Sequence, residues 1–313
     1  MDRSVATRPL NINPQNSVAT TTERVVPGLT PAMRGRVRWL FRIVSAFSPA
    51  LAARLAMRAF LTPLSRQIEP DEEQFLATAQ SQALASSSGS LQVYTWPAPA
   101  PDAPTVLLVH GWISHAARMA DIVRALLERG FRVVAFDAPA HGRSGGTQAD
   151  MHGFRAAIQT VIARCGPAHG VLAHSFGALA TASWLAEDRP ATLRAVVLVG
   201  MMHDLGYIFD SFTQALALRP AVSARFRELI RARYGAYPED VTSGEMVRRL
   251  HMPVLLVHGG ADDVVPSAHA QAVSKQLRAG RLLIAPDLGH GAPLRDPATV
   301  QQIVDFFSEQ LAP

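Results

Sequence analysis

The sequence is poor in cysteine, in charge and in long apolar runs. Cys165 is the only cysteine among 313 residues, so no intrachain disulfide can form and a cytoplasmic location is the expectation. Residues 1–30 contain no hydrophobic run that could serve as a signal-peptide core and no periodic apolar pattern, which predicts a flexible arm. Charged residues make up 18% of the chain and hydrophobic residues 48%, a balance that is typical of a globular protein.

Positive charge is concentrated in one segment near the N-terminus. Between Met33 and Arg66 there is no acidic residue, and there are seven arginines: Arg34, Arg36, Arg38, Arg42, Arg54, Arg58 and Arg66. Their charge exceeds the net charge of +5, so the rest of the chain is slightly acidic. Because the basicity is local and shares its segment with apolar residues, we expect no nucleic-acid partner.

The same segment has the spacing of amphipathic helices. Its apolar residues recur at i, i+3, i+4 and i+7 on one predicted helical face: Trp39, Leu40, Ile43, Val44 and Phe47. Pro49 breaks or kinks this helix, and a second helical piece follows at 51–60. The longest charge-free stretch here, 43–53, has 11 residues and is too short for a bilayer that needs about 20.

Two interpretations stay open for residues 33–66. The helices could cover an apolar patch of the main domain or a subunit interface, as amphipathic helices of globular proteins commonly do. They could instead lie in a membrane interface, because arginines beside Trp, Leu and Phe side chains suit anionic headgroups. The second interpretation predicts a protein that is peripherally associated with membranes.

Short apolar runs alternate with helix-length segments from residue 91 onward. The runs lie at 91–96, 105–110, 133–137, 170–174, 195–200, 253–258 and 281–285, and most are apolar at consecutive positions, as in strands buried on both faces. Helical candidates lie at 117–129, 151–164, 178–187 and 297–310. This alternation predicts an α/β protein with a doubly wound, mostly parallel sheet.

The pattern also predicts how the chain is organised. After the arm (1–30), a basic helical extension and linker occupy residues 31–90, the linker being the Ala-, Gln- and Ser-rich stretch 77–90. The main domain covers 91–313. Within it, residues 201–249 exceed the length of one crossover helix, so we expect two or three inserted helices that could form a small lid.

A candidate nucleophile follows the strand predicted at 170–174. Ala173-His174-Ser175-Phe176-Gly177 fits the pattern small-x-Ser-x-small, in which small residues permit a sharp turn from strand to helix and expose the serine. The pattern is weak by itself, and 85–89 also satisfies it around Ser87. Only Ser175 lies between a predicted strand and a predicted helix, so Ser175 is favoured.

A serine hydroxyl needs a base, and the base needs an orienting acid. His290 follows the strand predicted at 281–285, and it is the candidate base. Asp262 and its neighbour Asp263 follow the strand at 253–258 and compete for the role of the acid, with Asp204 as a weaker candidate. Each group is on a loop after a later strand, which brings the loops to the same edge of a parallel sheet.

Further residues are candidates for binding the reacting group. The backbone N–H groups of Trp112 and Phe176 follow two of the predicted strands and could stabilise an oxyanion. We expect His110, Gly111 and His174 beside the substrate. In the insertion, Phe209, Phe212, Leu216 and Leu218 could line a pocket for a medium or long acyl chain. Neither ligand-spaced histidines nor a cysteine cluster indicates a metal site.

These motifs occur in the order found in α/β-hydrolases. They are His110-Gly111-Trp112, the turn 137–144, the turn at Ser175, Gly-Gly-Ala-Asp262 and Gly-His290. Residues 91–313 resemble this family, in particular bacterial esterase- and lipase-type hydrolases with a helical N-terminal extension. Ala173 and Ala140 stand where the family often has glycine.

The resemblance implies the α/β-hydrolase fold and a catalytic domain at 91–313. It implies hydrolysis of an ester, thioester or related acyl bond of a small-molecule substrate, with no cofactor. The family's spacing to Pro266 favours Asp262 over Asp263. An acyltransferase would use the same three residues, and a non-catalytic binding protein on this fold is a third hypothesis. A serine at position 175 argues against dehalogenases and epoxide hydrolases, which use aspartate.

Overall fold

The structure is a computed structural model that describes residues 30–64, 67–87 and 89–312. The predicted arm therefore lies, apart from Thr30, outside the described residues. The described part forms one sheet of eight strands. The strands are β1 (Gln80–Ser86), β2 (Gly89–Trp96), β3 (Thr105–Val109), β4 (Arg132–Phe136), β5 (Gly170–His174), β6 (Ala195–Val199), β7 (Val254–Gly259) and β8 (Gly280–Ala285).

Helices follow most of the strands. They are α1 (Pro31–Phe47), α2 (Pro49–Leu61), α3 (Pro70–Leu76), α4 (Ala120–Glu128), α5 (Met151–Cys165), α6 (Phe176–Glu187), α7 (Leu205–Ala215), α8 (Pro220–Tyr234), α9 (Ser243–Val247), α10 (Ala268–Ser274) and α11 (Pro297–Leu311). Short 3-10 turns occur at Ala116–Met119, Pro238–Asp240 and Ala292–Leu294. Three helices, α7, α8 and α9, lie between β6 and β7, where the sequence predicted two or three inserted helices.

The strand order is β1-β2-β4-β3-β5-β6-β7-β8. Strand β2 runs antiparallel to β1 and β4, and all other neighbours are parallel. The order reverses direction around β3, and in such sheets the crevice at the carboxyl ends of the strands receives the ligand. The predicted doubly wound, mostly parallel sheet is confirmed.

Both faces of the sheet are buried. In β5, Val171 and Ala173 point to one apolar layer, which includes Phe154 of α5 and Trp184 of α6. Leu172 points to the other layer, which α4 and α11 complete. Because residues on both faces must be apolar, the central strands have consecutive apolar residues rather than alternating ones.

The expected linker at 77–90 is wrong. Residues 80–86 form β1, which pairs with β2 along its whole length. As the edge strand, β1 is exposed at most positions, and Leu84 is its buried residue. The sheet therefore begins about ten residues earlier than we expected. The strand was mistaken for a linker because a strand with so few apolar residues resembles a loop in sequence.

The N-terminal extension is a pair of helices packed on the insertion. Ser48 ends α1 and accepts a hydrogen bond from the Leu51 amide, 3.2 Å away, which caps α2. An apolar cluster joins both helices to α7 and α8: Phe41, Ala52, Ala53, Ala56, Phe209, Leu216, Val222, Phe226 and Ile230. One face of the extension therefore covers an apolar patch, as the first of our two interpretations expected.

None of the helices in the described ranges combines the length and the apolar character that crossing a bilayer requires.

Phe226 holds this cluster together, since it is fully buried and its ring lies 4.8 Å from that of Phe209 and 5.5 Å from that of Phe60. Phe226→Ala should lower the free energy of unfolding by about 3–5 kcal/mol, because it opens a cavity among large side chains. Urea unfolding checks this, with Phe47→Ala as the exposed control, which should change it by about 0.5 kcal/mol at most. A loss below about 1 kcal/mol for Phe226→Ala would contradict the packing.

Candidate active site

Ser175 stands in a strained turn between β5 and α6. Its φ of 54° and ψ of −122° are outside the regions that L residues prefer, which costs on the order of 1–3 kcal/mol. Its amide donates to the Val199 carbonyl, 2.8 Å away, and so ties the turn to β6. The turn places Ser175 at the carboxyl end of the sheet.

Two glycines make room for this turn. A side chain at Gly177 would place its Cβ 2.2 Å from the His110 carbonyl oxygen, and one at Gly111 would lie 3.0 Å from Cβ of Ser175. The loop after β3 can therefore approach the start of α6 only because both positions lack a side chain. These contacts explain the small residues that mark the motif in the sequence.

The structure brings Ser175, His290 and Asp262 together. His290 Nε2 is 2.8 Å from Ser175 Oγ, and His290 Nδ1 is 2.7 Å from Asp262 Oδ2. Asp263 is exposed. Asp204 instead caps α7, where its carboxylate accepts from the Tyr207 amide, 2.7 Å away. Of the three candidate acids, Asp262 is therefore the one in contact with the histidine.

Every acceptor of the Asp262 carboxylate is occupied. Oδ1 accepts from the amides of Val264 and Val265, at 2.9 and 2.8 Å. Oδ2 accepts from His290 and is 3.2 Å from Nε2 of His258. Burial alone would raise the pKa of Asp262, but the hydrogen bonds from His258 and His290, together with the positive charge His290 can carry, outweigh it and lower the pKa well below its usual range. The carboxylate thus stays ionised.

His258 was missed by the sequence analysis. It is fully buried in β7, and its Nε2 lies 2.7 Å from the Val265 carbonyl oxygen as well as near Asp262. The proton on Nε2 is thus shared between the carboxylate and the loop that carries it. The only signal in the sequence was a histidine four residues before an aspartate, at a strand end.

His174 supports the loop of His290 from the other side. Its Nε2 donates to the His290 carbonyl oxygen, 3.0 Å away, and the two rings are 4.8 Å apart. Burial, and then the proximity of His290, lower the pKa of His174 to about 3. His174 is therefore neutral near pH 7 and does not compete with His290 for the proton of the serine.

The amides of Trp112 and Phe176 lie where the β3 loop meets the start of α6. Their rings are 5.3 Å apart in an edge-on contact, and both residues line the cavity that contains Ser175. Within the described residues, neither amide has a hydrogen-bond acceptor. An amide without an acceptor can donate to a bound ligand, so both N–H groups stay candidates for stabilising an oxyanion.

Two family models match the chain in succession. A hydrolase model described as "Serine aminopeptidase, S33" matches residues 100–236, and an α/β-hydrolase model described as "TAP-like protein" matches residues 236–313. Together they span the sheet from β3 onward. The chain belongs to the α/β-hydrolases.

Curated relatives and solved structures agree with this family. The hydrolase is 24% identical over 250 residues to a bifunctional esterase/perhydrolase of Acinetobacter calcoaceticus, covering 64% of this chain and 90% of that protein. It is 24% identical over 235 residues to a non-heme haloperoxidase of Rhodococcus erythropolis, covering 59% and 85%. An esterase structure from Pyrococcus furiosus, 18% identical, superposes with a TM-score of 0.58 over 80% of this chain and 97% of that one. These matches identify a hydrolase enzyme.

A cavity of about 960 Å³ opens onto Ser175 and His290. Apolar side chains from three parts of the hydrolase make up much of its wall: Val37, Leu55, Phe60, Trp112, Phe176, Met202, Ile208, Phe212, Leu216 and Ile230. The contribution of α1 and α2 to this wall was missed, because nothing in the sequence relates the extension to the turn at Ser175. In the described residues, no group of three or more His, Cys, Asp or Glu side chains could hold a metal.

Some expected binding residues are not in this wall. Phe212, Leu216 and His174 line the cavity, as expected. Phe209 is fully buried against Phe226 on the other side of α7. His110 is buried as well, and its Nε2 accepts from the Ala138 amide at 2.9 Å.

Gly111 and Leu218 are also absent from the wall. The expectation is wrong for Phe209 and His110, because the rotation of α7 and the packing of the β3 loop direct them into the protein. Gly111 lies against Ser175 and Leu218 packs half-buried beside the cluster of Phe226, so their contact with a substrate stays a prediction.

The ionised state of Asp262 has a consequence for stability. Folding lowers the pKa of the Asp262 carboxyl, so the ionised carboxylate stabilises the folded state at any pH above about 4, the pKa of an aspartate in the unfolded chain. This contribution is lost as the pH falls from about 4 toward the lower pKa of the folded state. Wild type should therefore lose more free energy of unfolding between pH 7 and pH 3 than Asp262→Asn does. Urea unfolding at both pH values measures the difference.

The exposed neighbour provides the control. Asp263→Asn should keep the pH dependence of wild type, because Asp263 lies outside the hydrogen-bonded group. Equal pH dependence in wild type and Asp262→Asn would show that the carboxylate is not held as the structure describes.

Proposed function

We propose that the protein is a serine hydrolase that cleaves carboxylic esters through an acyl-enzyme on Ser175. The observation that supports this most strongly is the continuous hydrogen-bonded chain from Ser175 Oγ through the two ring nitrogens of His290 to Asp262. A neutral serine is a poor nucleophile, and this arrangement supplies both a base and an ion that holds the base in the required tautomer.

The first half of the reaction forms the acyl-enzyme. Ser175 Oγ attacks the carbonyl carbon of the ester while its proton passes to His290 Nε2. The carbonyl oxygen becomes an oxyanion, which the amides of Trp112 and Phe176 receive. When the tetrahedral species collapses, the C–O bond to the leaving group breaks, and the leaving alkoxide takes the proton from His290.

The second half releases the acid. A water molecule gives a proton to His290 Nε2 as its oxygen attacks the acyl carbon, and the proton returns to Ser175 Oγ as the ester bond to the serine breaks. Asp262 stabilises the imidazolium in both halves without taking its proton. Each hydrogen-bond donor to the oxyanion raises the reaction rate by about 100- to 1000-fold.

The shape and chemistry of the cavity support an acyl group of medium or long chain. A cavity of about 960 Å³ is at the upper end of the range for small-molecule sites. Rings and aliphatic side chains surround the approach to Ser175, including Trp112, Phe176 and Phe212. An acyl chain would be stabilised there by burial, at roughly 0.8 kcal/mol per CH₂.

Initial rates on p-nitrophenyl esters with acyl chains from two to sixteen carbons test this proposal. We expect kcat/KM to rise with chain length to a maximum beyond four carbons, because each buried methylene adds binding energy. Ser175→Ala should lower kcat by at least about 1000-fold. A fluorophosphonate should label wild type and leave Ser175→Ala unlabelled.

Ser87→Ala is the matched control. Ser87 satisfies the same sequence pattern but lies exposed in the turn between β1 and β2, so its replacement should change neither rate nor labelling. Undiminished hydrolysis in Ser175→Ala would refute the proposal. Labelling of Ser175 without hydrolysis of any ester would instead favour acyl transfer to an acceptor other than water.

A further inference from the structure

The side of α1 and α2 that faces away from the insertion carries large exposed apolar side chains. We call it the outer face, defined by Trp39, Leu40, Phe47, Leu51 and Leu55. Trp39 is 65% exposed and Phe47 is 86% exposed. Among the described residues, the large apolar side chains that are similarly exposed lie in these two helices, with Leu282 as the exception.

The helix pair is held firmly by its opposite side, so the outer face is a fixed surface. Phe41, Ala53 and Ala56 are buried in the cluster with α7 and α8. The guanidinium of Arg38 donates from Nε to the Ala215 carbonyl oxygen, 2.7 Å away. Packing on the insertion therefore buries one side of each helix, and the apolar side chains of the outer face stay exposed to solvent.

Exposed arginines surround these apolar side chains. Arg36, Arg42, Arg54 and Arg58 are exposed, and the helices from Pro31 to Leu61 contain no acidic residue. Within the described part of the chain, none of the four forms an ion pair. A surface that mixes Trp, Phe and Leu with unneutralised arginines is complementary to a lipid interface, which offers an apolar layer below a layer of phosphates.

A second cavity strengthens this complementarity. It measures about 470 Å³ and lies beside α2, and its lining is polar and basic: Arg54, Met57, Arg58, Leu61, Thr62, Thr147, Gln148 and Arg233. Of its three guanidinium groups, that of Arg233 is 3.8 Å from a carboxylate oxygen of Asp150. The cavity therefore keeps a net positive charge, and its donors suit a phosphate group.

The outer face is continuous with the entrance to the active site. Leu55 is part of the outer face and also lines the cavity of Ser175, while Arg58 lines both cavities. A surface that binds the outer face would therefore lie against the mouth of the larger cavity.

We propose that the outer face docks on a bilayer that contains anionic phospholipids. The apolar side chains enter the interface, and the arginines beside them contact lipid phosphates. A second copy of the chain is the less suitable occupant, because a two-fold contact would bring the arginines of both copies together. The docking itself does not depend on the proposed reaction. Its consequence, that a lipid-soluble ester enters the cavity from the bilayer, rests on the proposed function.

Co-sedimentation of the full chain with vesicles tests the docking. We expect binding to vesicles of phosphatidylcholine and phosphatidylglycerol in equal parts, and much weaker binding to phosphatidylcholine alone. Phe47→Ser/Arg54→Glu should lower the partition coefficient on the mixed vesicles at least about tenfold, because it removes an inserted side chain and reverses a charge at the surface.

The matched control makes the same changes elsewhere. Leu282→Ser/Arg278→Glu also replaces an exposed leucine, in β8, and an exposed arginine, just before β8, and should bind as wild type does. Neither pair of positions lines the cavity of Ser175, so both variants should hydrolyse a soluble short-chain ester at the wild-type rate. Thermal unfolding checks that both variants are folded. Because neither variant alters hydrolysis of the soluble ester, the binding result is independent of the proposed reaction.

Tryptophan fluorescence gives an independent readout. Of the four tryptophans, Trp39 is exposed, Trp112 is half-buried in the cavity of Ser175, and Trp96 and Trp184 are buried. Mixed vesicles should therefore shift the emission of wild type to shorter wavelength by clearly more than that of Trp39→Phe. Absence of binding to the mixed vesicles would overturn the proposal, as would equal losses in the variant and its control. A wild-type dimer that Phe47→Ser/Arg54→Glu dissociates would overturn it in favour of a second copy, and tight binding to an acidic protein without vesicle binding would overturn it in favour of a protein partner.

Discussion

The candidate active site depends on one buried negative charge, the carboxylate of Asp262. An ion removed from water must be fully hydrogen-bonded, and four donors meet this requirement: two loop amides, His258 and His290. The same bonds fix the loop after β7 and the ring orientation of His290, which in turn fixes the proton acceptor for Ser175. Stability and the geometry of the proposed reaction therefore rest on the same contacts, and His258, which the reaction does not touch, is part of that support.

The cavity is built by segments that are far apart in the chain. The sheet supplies Ser175 and the loops around it, the insertion after β6 supplies Phe212 and Leu216, and the N-terminal extension supplies Leu55 and Phe60. The extension reaches the site because its alanines allow α2 to pack closely on α8. The proposed substrate pocket and the proposed docking surface thus share the same helix pair, and Leu55 belongs to both.

Sequence alone predicted the parts of the structure that depend on local pattern. The central strands were found because burial on both faces demands consecutive apolar residues, as at 195–199, and Ser175 was found because a sharp turn needs small neighbours. The edge strand β1 was missed because its residues face solvent. Phe209 was assigned to the pocket because spacing shows that a helix has an apolar face but not which neighbour sets its rotation, and here Phe226 does.

The proposed reaction requires that Ser175 becomes acylated by the substrate. Mass spectrometry of the intact chain, quenched in acid within milliseconds of mixing with a p-nitrophenyl ester, tests it most directly, and peptide mapping locates the modification. The chain should gain the mass of one acyl group, and the peptide containing Ser175 should carry it. Turnover without any acylated species under these conditions, or acylation at another residue, would contradict it.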